Sequence, residues 1–256
     1  MSCATFDQPA ALRMACRTGE FRDTTMHQVT GYQQANLVVL PHVHAPDFLL
    51  FCRRNPKACP LIEVMAPGAR TPACAAGADI ATDLPGYRIY RDGALAAETH
   101  EIASLWRDDF VVFLIAGSFS FEWALIDAGI PLRHISERRT VPMYRTSMPC
   151  VPAGGFRGEV VVSMRPIRSR DIVPAIEVSS RFPMSHGAPL HVGNPACIGI
   201  HDLRKPDYGD PIDVLEDELP VFWACGITPQ WVVQQSRLPL CITHVPGKML
   251  VTDLKG

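Results

Sequence analysis

No stretch of this 256-residue sequence approaches the roughly 20 consecutive apolar residues that a helical membrane crossing needs. The longest apolar runs, at residues 110–117 and 36–41, have the length of buried core segments, which argues against a membrane protein. Positive charge is not in excess either. Lys and Arg total 24 against 26 Asp and Glu, the net charge is −2, and no basic stripe follows the chain. Nucleic acid is therefore not an expected partner. The first segment, MSCATFDQPAALRMACR, lacks a continuous apolar h-region and carries Asp7, so it does not read as a secretion signal. A cytoplasmic protein is expected. The nine cysteines contain no repeated CxxC pair and are odd in number, which points to free thiols, most of them small buried hydrophobes. Internal repeats and low-complexity tracts are also missing.

Proline is abundant: 23 residues of 256, against a usual share of about 5%. These prolines interrupt apolar segments without clustering, so they imply ordered turns and irregular connections. Residues 10–17 read as a short helix with Pro9 near its first turn. Residues 45–54 suit a buried helix with Asp47 in the first turn. Residues 35–40 and 61–65 are compact apolar elements, and residues 87–91 and 94–99 flank Asp92-Gly93 as a hairpin. Residues 144–146 and 159–164 read as strands, and 170–180 as an amphipathic helix.

Two units have the form strand, glycine turn, helix. The first is VVFLIA, then Gly117-Ser118, then residues 119–128, closed by Gly129. The second is VFWAC, then Gly226, then a helix for which Thr228 is the expected cap and Pro229 the first residue. Such units build parallel or mixed sheets and expose helix N-termini beside strand ends, where carboxylates and phosphates bind. The stretches PVFWACGITPQ and CITHVPGKMLVTD place polar side chains at strand ends, the grammar of a small-molecule site.

Arg145, Arg165 and Arg181 lie in short motifs among apolar or small residues, and their planar cations suit carboxylate recognition. His186 and His191 flank GAPL, and His244 ends an apolar run; each is a candidate acid or base or a metal ligand. Cys225, just before a helix, sits where a thiol pKa is lowered. Ser118 and Glu122 share one helix face. Gly226, Thr228 and Gln230 complete the substrate-binding candidates.

The segments QQANLVVLP, DFLLFCRRNPKACPLIEV, LWRDDFVVFLIAGSFSFEWAL, VPMYRT, VVSMRPI, SSRFPMSHGAPLHVGNP, PVFWACGITPQ and THVPGKMLVTD resemble the D-glutamate cyclase family. The resemblance runs from near residue 30 onward. It implies a three-layer α/β domain carrying an inserted α+β domain; the change of texture between the two strand–glycine–helix units places a smaller α+β two-layer insertion at residues 131–200, leaving residues 1–130 and 201–256 to the main α/β domain with a mixed sheet. It implies carbon–oxygen lyase chemistry, such as D-glutamate closing to 5-oxo-D-proline. The leading expectation is a lyase with no cofactor and no metal, with a small carboxylate as the partner; a homo-oligomer is compatible with it. The resemblance carries over no catalytic residues. Gly117 and Lys248 stand where cysteine and histidine are usual, so neither side chain is expected to be essential. The residues assign His186, His244, Glu122 and Cys225 to catalysis, and Arg145, Arg165, Arg181, Ser118, Gly226, Thr228 and Gln230 to substrate. Two other readings stay open: a metal-assisted hydro-lyase or hydrolase using His186, His191, Cys225 or His244, and a non-catalytic sensor of a carboxylated metabolite.

Overall fold

The computed structural model describes residues 6–26 and 28–256. In chain order its elements begin with α1 (Pro9–Thr18), β1 (Tyr32–Pro41), α2 (Ala45–Arg54), β2 (Leu61–Val64), β3 (Tyr87–Arg91), β4 (Ala94–Thr99) and β5 (Phe110–Ala116). They continue with α3 (Phe119–Asp127), the single turn α4 (Arg133–Ser136), β6 (Met143–Pro149), β7 (Glu159–Arg168) and α5 (Ile172–Ser180). The last are β8 (His191–Val192), β9 (Glu218–Ala224), α6 (Thr228–Gln235), β10 (Cys241–His244) and β11 (Leu250–Lys255). Among the described residues no helix is long and apolar enough to cross a membrane.

The strands form two sheets. The larger runs β2-β5-β1-β10-β3-β4, and β11 shares an edge of β1 with β10. The smaller runs β6-β7-β9-β8. The fold is α/β, as expected, but every pairing among the described strands is antiparallel, where a mixed sheet was expected. The reason lies in the two strand–glycine–helix units. β5 belongs to the larger sheet, yet the chain leaves it through α3 for β6 in the smaller one. β9 belongs to the smaller sheet, and α6 carries the chain back to β10 in the larger. Neither helix returns to a neighbouring strand of its own sheet, so no parallel crossover closes.

The run ANLVVL in β1 is apolar on both faces because both are covered. Leu37 and Val39 pack with Leu84, Tyr87 and Ile242. Val38 and Leu40 pack with Phe48, Phe51 and Phe113 beneath α2. In the smaller sheet, Ile167, Val221 and Trp223 face Phe121 and Leu125 of α3 and Ala175 of α5. The hairpin β3–β4 turns through Asp92 (φ 51°) and Gly93 (φ 82°), the positive-φ pair of a type I′ connection. A Cβ at Gly93 would also stand 2.5 Å from Gln234 O, so glycine is required twice over.

Phe48 is fully buried, edge-on to Phe113 at 4.8 Å and 5.0 Å from Phe156. Phe48→Ala is expected to lower stability by about 3–5 kcal/mol, read as a shift in the urea midpoint at unchanged slope.

Candidate active site

Both glycine turns reach one place. The all-buried strand β5 ends at Gly117-Ser118, and β9 ends at Cys225-Gly226. With Asn36 of β1 and Met249, just before β11, these residues line a cavity between the two sheets. Close approach explains the glycines. A Cβ at Gly117 would come 2.9 Å from Met249 Sδ, and one at Gly226 only 2.0 Å from Asn36 Nδ2. The free space is small, about 30 Å³. A ligand of glutamate size needs more room than this; Met143 and Met249 are among the lining residues, and thioether side chains adapt readily to a changed neighbour.

Behind Ser118 lies a buried charge cluster. Arg165 is fully buried. Its Nε and Nη2 donate to Glu122 Oε1 at 2.9 and 2.5 Å, Nη1 donates to Ser163 Oγ at 3.0 Å, and Nη2 donates to Ser118 Oγ at 3.2 Å. The guanidinium carbon sits 4.8 Å from the Phe121 ring centre and 5.3 Å from that of Trp223, two cation–π contacts in a dry setting. His134 Nε2 lies 3.1 Å from the same Glu122 oxygen. Burial alone would raise the Glu122 carboxyl, but the attractions of Arg165 and His134 outweigh it and bring it down to about 2. Glu122 is therefore a carboxylate that holds Arg165 in place.

Ser118 stands at the N-cap position of α3, yet its side chain does not cap the helix. Its oxygen accepts from Arg165, which leaves the hydroxyl proton free to donate into the cavity. Cys225 behaves contrary to expectation. Burial dominates, offset only in part by the Ile227 N–H and Arg165, and pushes the thiol up to about 11. A helix N-terminus cannot supply a thiolate at neutral pH against that desolvation.

The remaining expected residues lie elsewhere or are tied into the frame. Thr228 does not cap α6; it is the helix's first residue, and its hydroxyl bonds Val161 N–H at 3.0 Å and Val161 O at 3.2 Å, fastening α6 to β7. Gln230 Nε2 donates to His244 O at 3.3 Å. His244 Nδ1 accepts the Leu37 N–H at 3.0 Å, and burial pushes its imidazole down to about 3. His186 is buried in left-handed conformation with Nδ1 2.9 Å from Lys57 O. Burial, with Arg165 and Lys57 nearby, pushes it down to about 4. Both rings are neutral at pH 7. Arg145 is exposed, paired with Asp207 at 2.5 Å and stacked over Trp231 at 4.5 Å, beside a different surface cleft. Arg181 is exposed at the end of α5. His191 bonds Asn194 O at 2.8 Å. Among the described residues no three His, Cys, Asp or Glu side chains converge as a metal-ligand set. Asn36 and Met249 were not anticipated. The one signal for Asn36 was a polar residue within the apolar run ANLVVL.

A family model described as D-glutamate cyclase matches residues 111–253. Relatives from Stutzerimonas stutzeri, Geobacillus kaustophilus and Corynebacterium urealyticum all bear the name "Putative hydro-lyase". The first is 56% identical over 96% of this chain and 94% of its own length. The second is 54% identical over 95% and 93%, and the third 53% identical over 100% and 97%. The solved structure of a nitrogen repressor-like protein from Methanococcus jannaschii aligns over 92% of this chain and 91% of its own, at 9% identity and a TM-score of 0.40, too loose a likeness to bear on fold or function.

Glu122→Gln should cost about 3–5 kcal/mol, because it leaves the buried Arg165 charge unmatched; chemical denaturation at pH 7 measures this. The two depressed histidines set a pH trend of definite sign. Each takes up a proton in the unfolded chain near the ordinary imidazole value of 6.5 but in the folded chain only near 4 (His186) or 3 (His244). Their stabilisation is complete above 6.5 and declines as pH falls toward those values. His244→Gln should therefore show a shallower loss of stability between pH 6.5 and 4 than the unmodified protein.

Proposed function

The chain belongs to the D-glutamate cyclase family, and from that premise we propose that it is a hydro-lyase acting on a small dicarboxylic amino acid, closing D-glutamate to 5-oxo-D-proline with loss of water. The observation that carries this reading is the meeting of two helix N-termini, α3 and α6, at one cavity with Ser118 and Gly226 in its wall. Their dipoles and unpaired amides favour negative charge there.

In the cyclisation the amine nitrogen bonds to the side-chain carboxyl carbon. An oxyanion develops, a C–O bond breaks, and the departing oxygen leaves as water carrying the protons lost by the amine. The Gly226 N–H and the N-terminus of α6 suit the developing oxyanion. Ser118, whose oxygen is already engaged by Arg165, is suited to relay a proton, giving its own to the departing oxygen and taking one from the amine as the ring closes. Arg165 is a positioning residue that acts through Ser118. Glu122 holds Arg165 and, as so strong an acid, is a poor base. Holding the substrate folded back on itself supplies much of the effect, since orientation alone is worth up to about 7–11 kcal/mol in ideal cases.

Purified protein incubated with D-glutamate should release 5-oxoproline, followed by chromatography. Ser118→Ala should lower kcat by about 10²–10³-fold. A folded protein that turns over no D-glutamate overturns the assignment. Because His186 and His244 remain neutral above about pH 4, the rate should rise toward alkaline pH as the substrate amine loses its proton. An inflection near 6.5 that disappears in His186→Asn would contradict these roles.

A further inference from the structure

We infer that Asn36 reads the amino group of the substrate, accepting an N–H of the amine on Oδ1, and so selects an amino dicarboxylate over a plain dicarboxylate. The inference rests on the reading of the cavity as a dicarboxylate site. Asn36 is buried on β1, and Nδ2 donates to Ile115 O at 3.2 Å and to Ala116 O at 3.1 Å. Those two carbonyls fix the amide orientation, since a flipped carboxamide would set oxygen against oxygen. Oδ1 is then the free end. It has no hydrogen-bond donor among the described residues, and Asn36 lines the cavity.

Gly226 makes the placement possible. A methyl there would fall 2.0 Å from Nδ2 and 2.6 Å from Cγ, so only glycine lets the carboxamide lie against the turn. The surrounding groups give the acceptor its meaning. Ser118 presents a hydroxyl proton, Gly226 presents its amide, and two helix N-termini add positive potential. A ligand made only of carboxylates would satisfy these donors and leave Oδ1 dry and unpaired, which is costly for a buried acceptor. A ligand that also carries an N–H satisfies every one. In the cyclisation the same contact turns the nitrogen lone pair toward the carboxyl carbon, because the hydrogen bond occupies the opposite side of the amine.

The test compares D-glutamate with glutarate, which differs only in lacking the amine, by ligand-induced shift of the melting temperature over a concentration series. The unmodified protein should bind D-glutamate at least about tenfold more tightly than glutarate. Asn36→Leu should bring the ratio close to one with glutarate affinity retained. A protein that binds both ligands equally overturns the inference and leaves the carboxylate site standing. A folded Asn36→Leu protein that still prefers D-glutamate also overturns it. Binding of neither ligand by the unmodified protein overturns both readings. The ratio in the unmodified protein requires no variant to fold.

Discussion

A guanidinium with no access to water cannot exist unpaired, and the site is organised around that constraint. Arg165 on β7 is matched by Glu122 on α3, and the pair joins the smaller sheet to the helix that leaves the larger one. Removing two charges from water is expensive, and their mutual attraction recovers that cost only when the remaining donors are also satisfied. Here Ser163 and Ser118 each take a further N–H, while Phe121 and Trp223 cover the cation. Trp223 is itself fixed by a 3.1 Å bond to Ser179 of α5. The orientation of Ser118 is thus a consequence of charge neutralisation two residues away in space, and a polar cavity wall is built from the inside outward.

The same geometry explains why the cavity lies where it does. Each strand–glycine–helix unit carries the chain from one sheet to the other, so both glycine turns occupy the seam. At a seam backbones must approach closely, and the overlaps that a Cβ would create at Gly117 and Gly226 measure that closeness. A helix that begins at a seam aims its unpaired amides into the gap between sheets rather than along the rim of one sheet. The site therefore lies in a seam between layers rather than in the crevice of a doubly wound fold, with Met143 and Met249 in its lining.

Much of this was legible beforehand. The Asp92-Gly93 hairpin, the buried helix at residues 45–54, both strand–glycine–helix units and the family all follow from turn chemistry, apolar runs and motif identity. What local pattern could not supply was the destination of each strand. A strand ending in glycine and a helix looks the same whether the chain returns to its own sheet or crosses to another, and only long-range pairing separates the two outcomes. Residue types misled for a related reason. Thr228 has the chemistry of a cap, but β7 passes close enough to take its hydroxyl. Cys225 precedes a helix, but the burial that encloses it outweighs the dipole. Arg145 sits in an apolar motif yet points outward to Asp207. Asn36 was passed over because its meaning depends on Ile115 and Ala116, which are distant in sequence and adjacent only across the sheet.

The electrostatics then narrow the chemistry the cavity can support. Three groups at or behind it are moved well away from neutral pH: Glu122 to about 2, His186 to about 4, Cys225 to about 11. Poised acid–base catalysts have pKa values near the working pH, so these groups are arranged to keep one protonation state, not to exchange protons. A site of this kind accelerates reactions whose partners arrive in one molecule and need to be bent, aligned and stripped of water. Intramolecular ring closure is such a reaction: nucleophile and electrophile are already tethered, and the barrier is largely one of orientation and developing oxyanion charge. Fixed donors on a rigid seam meet both demands without Glu122, His186 or Cys225 having to titrate.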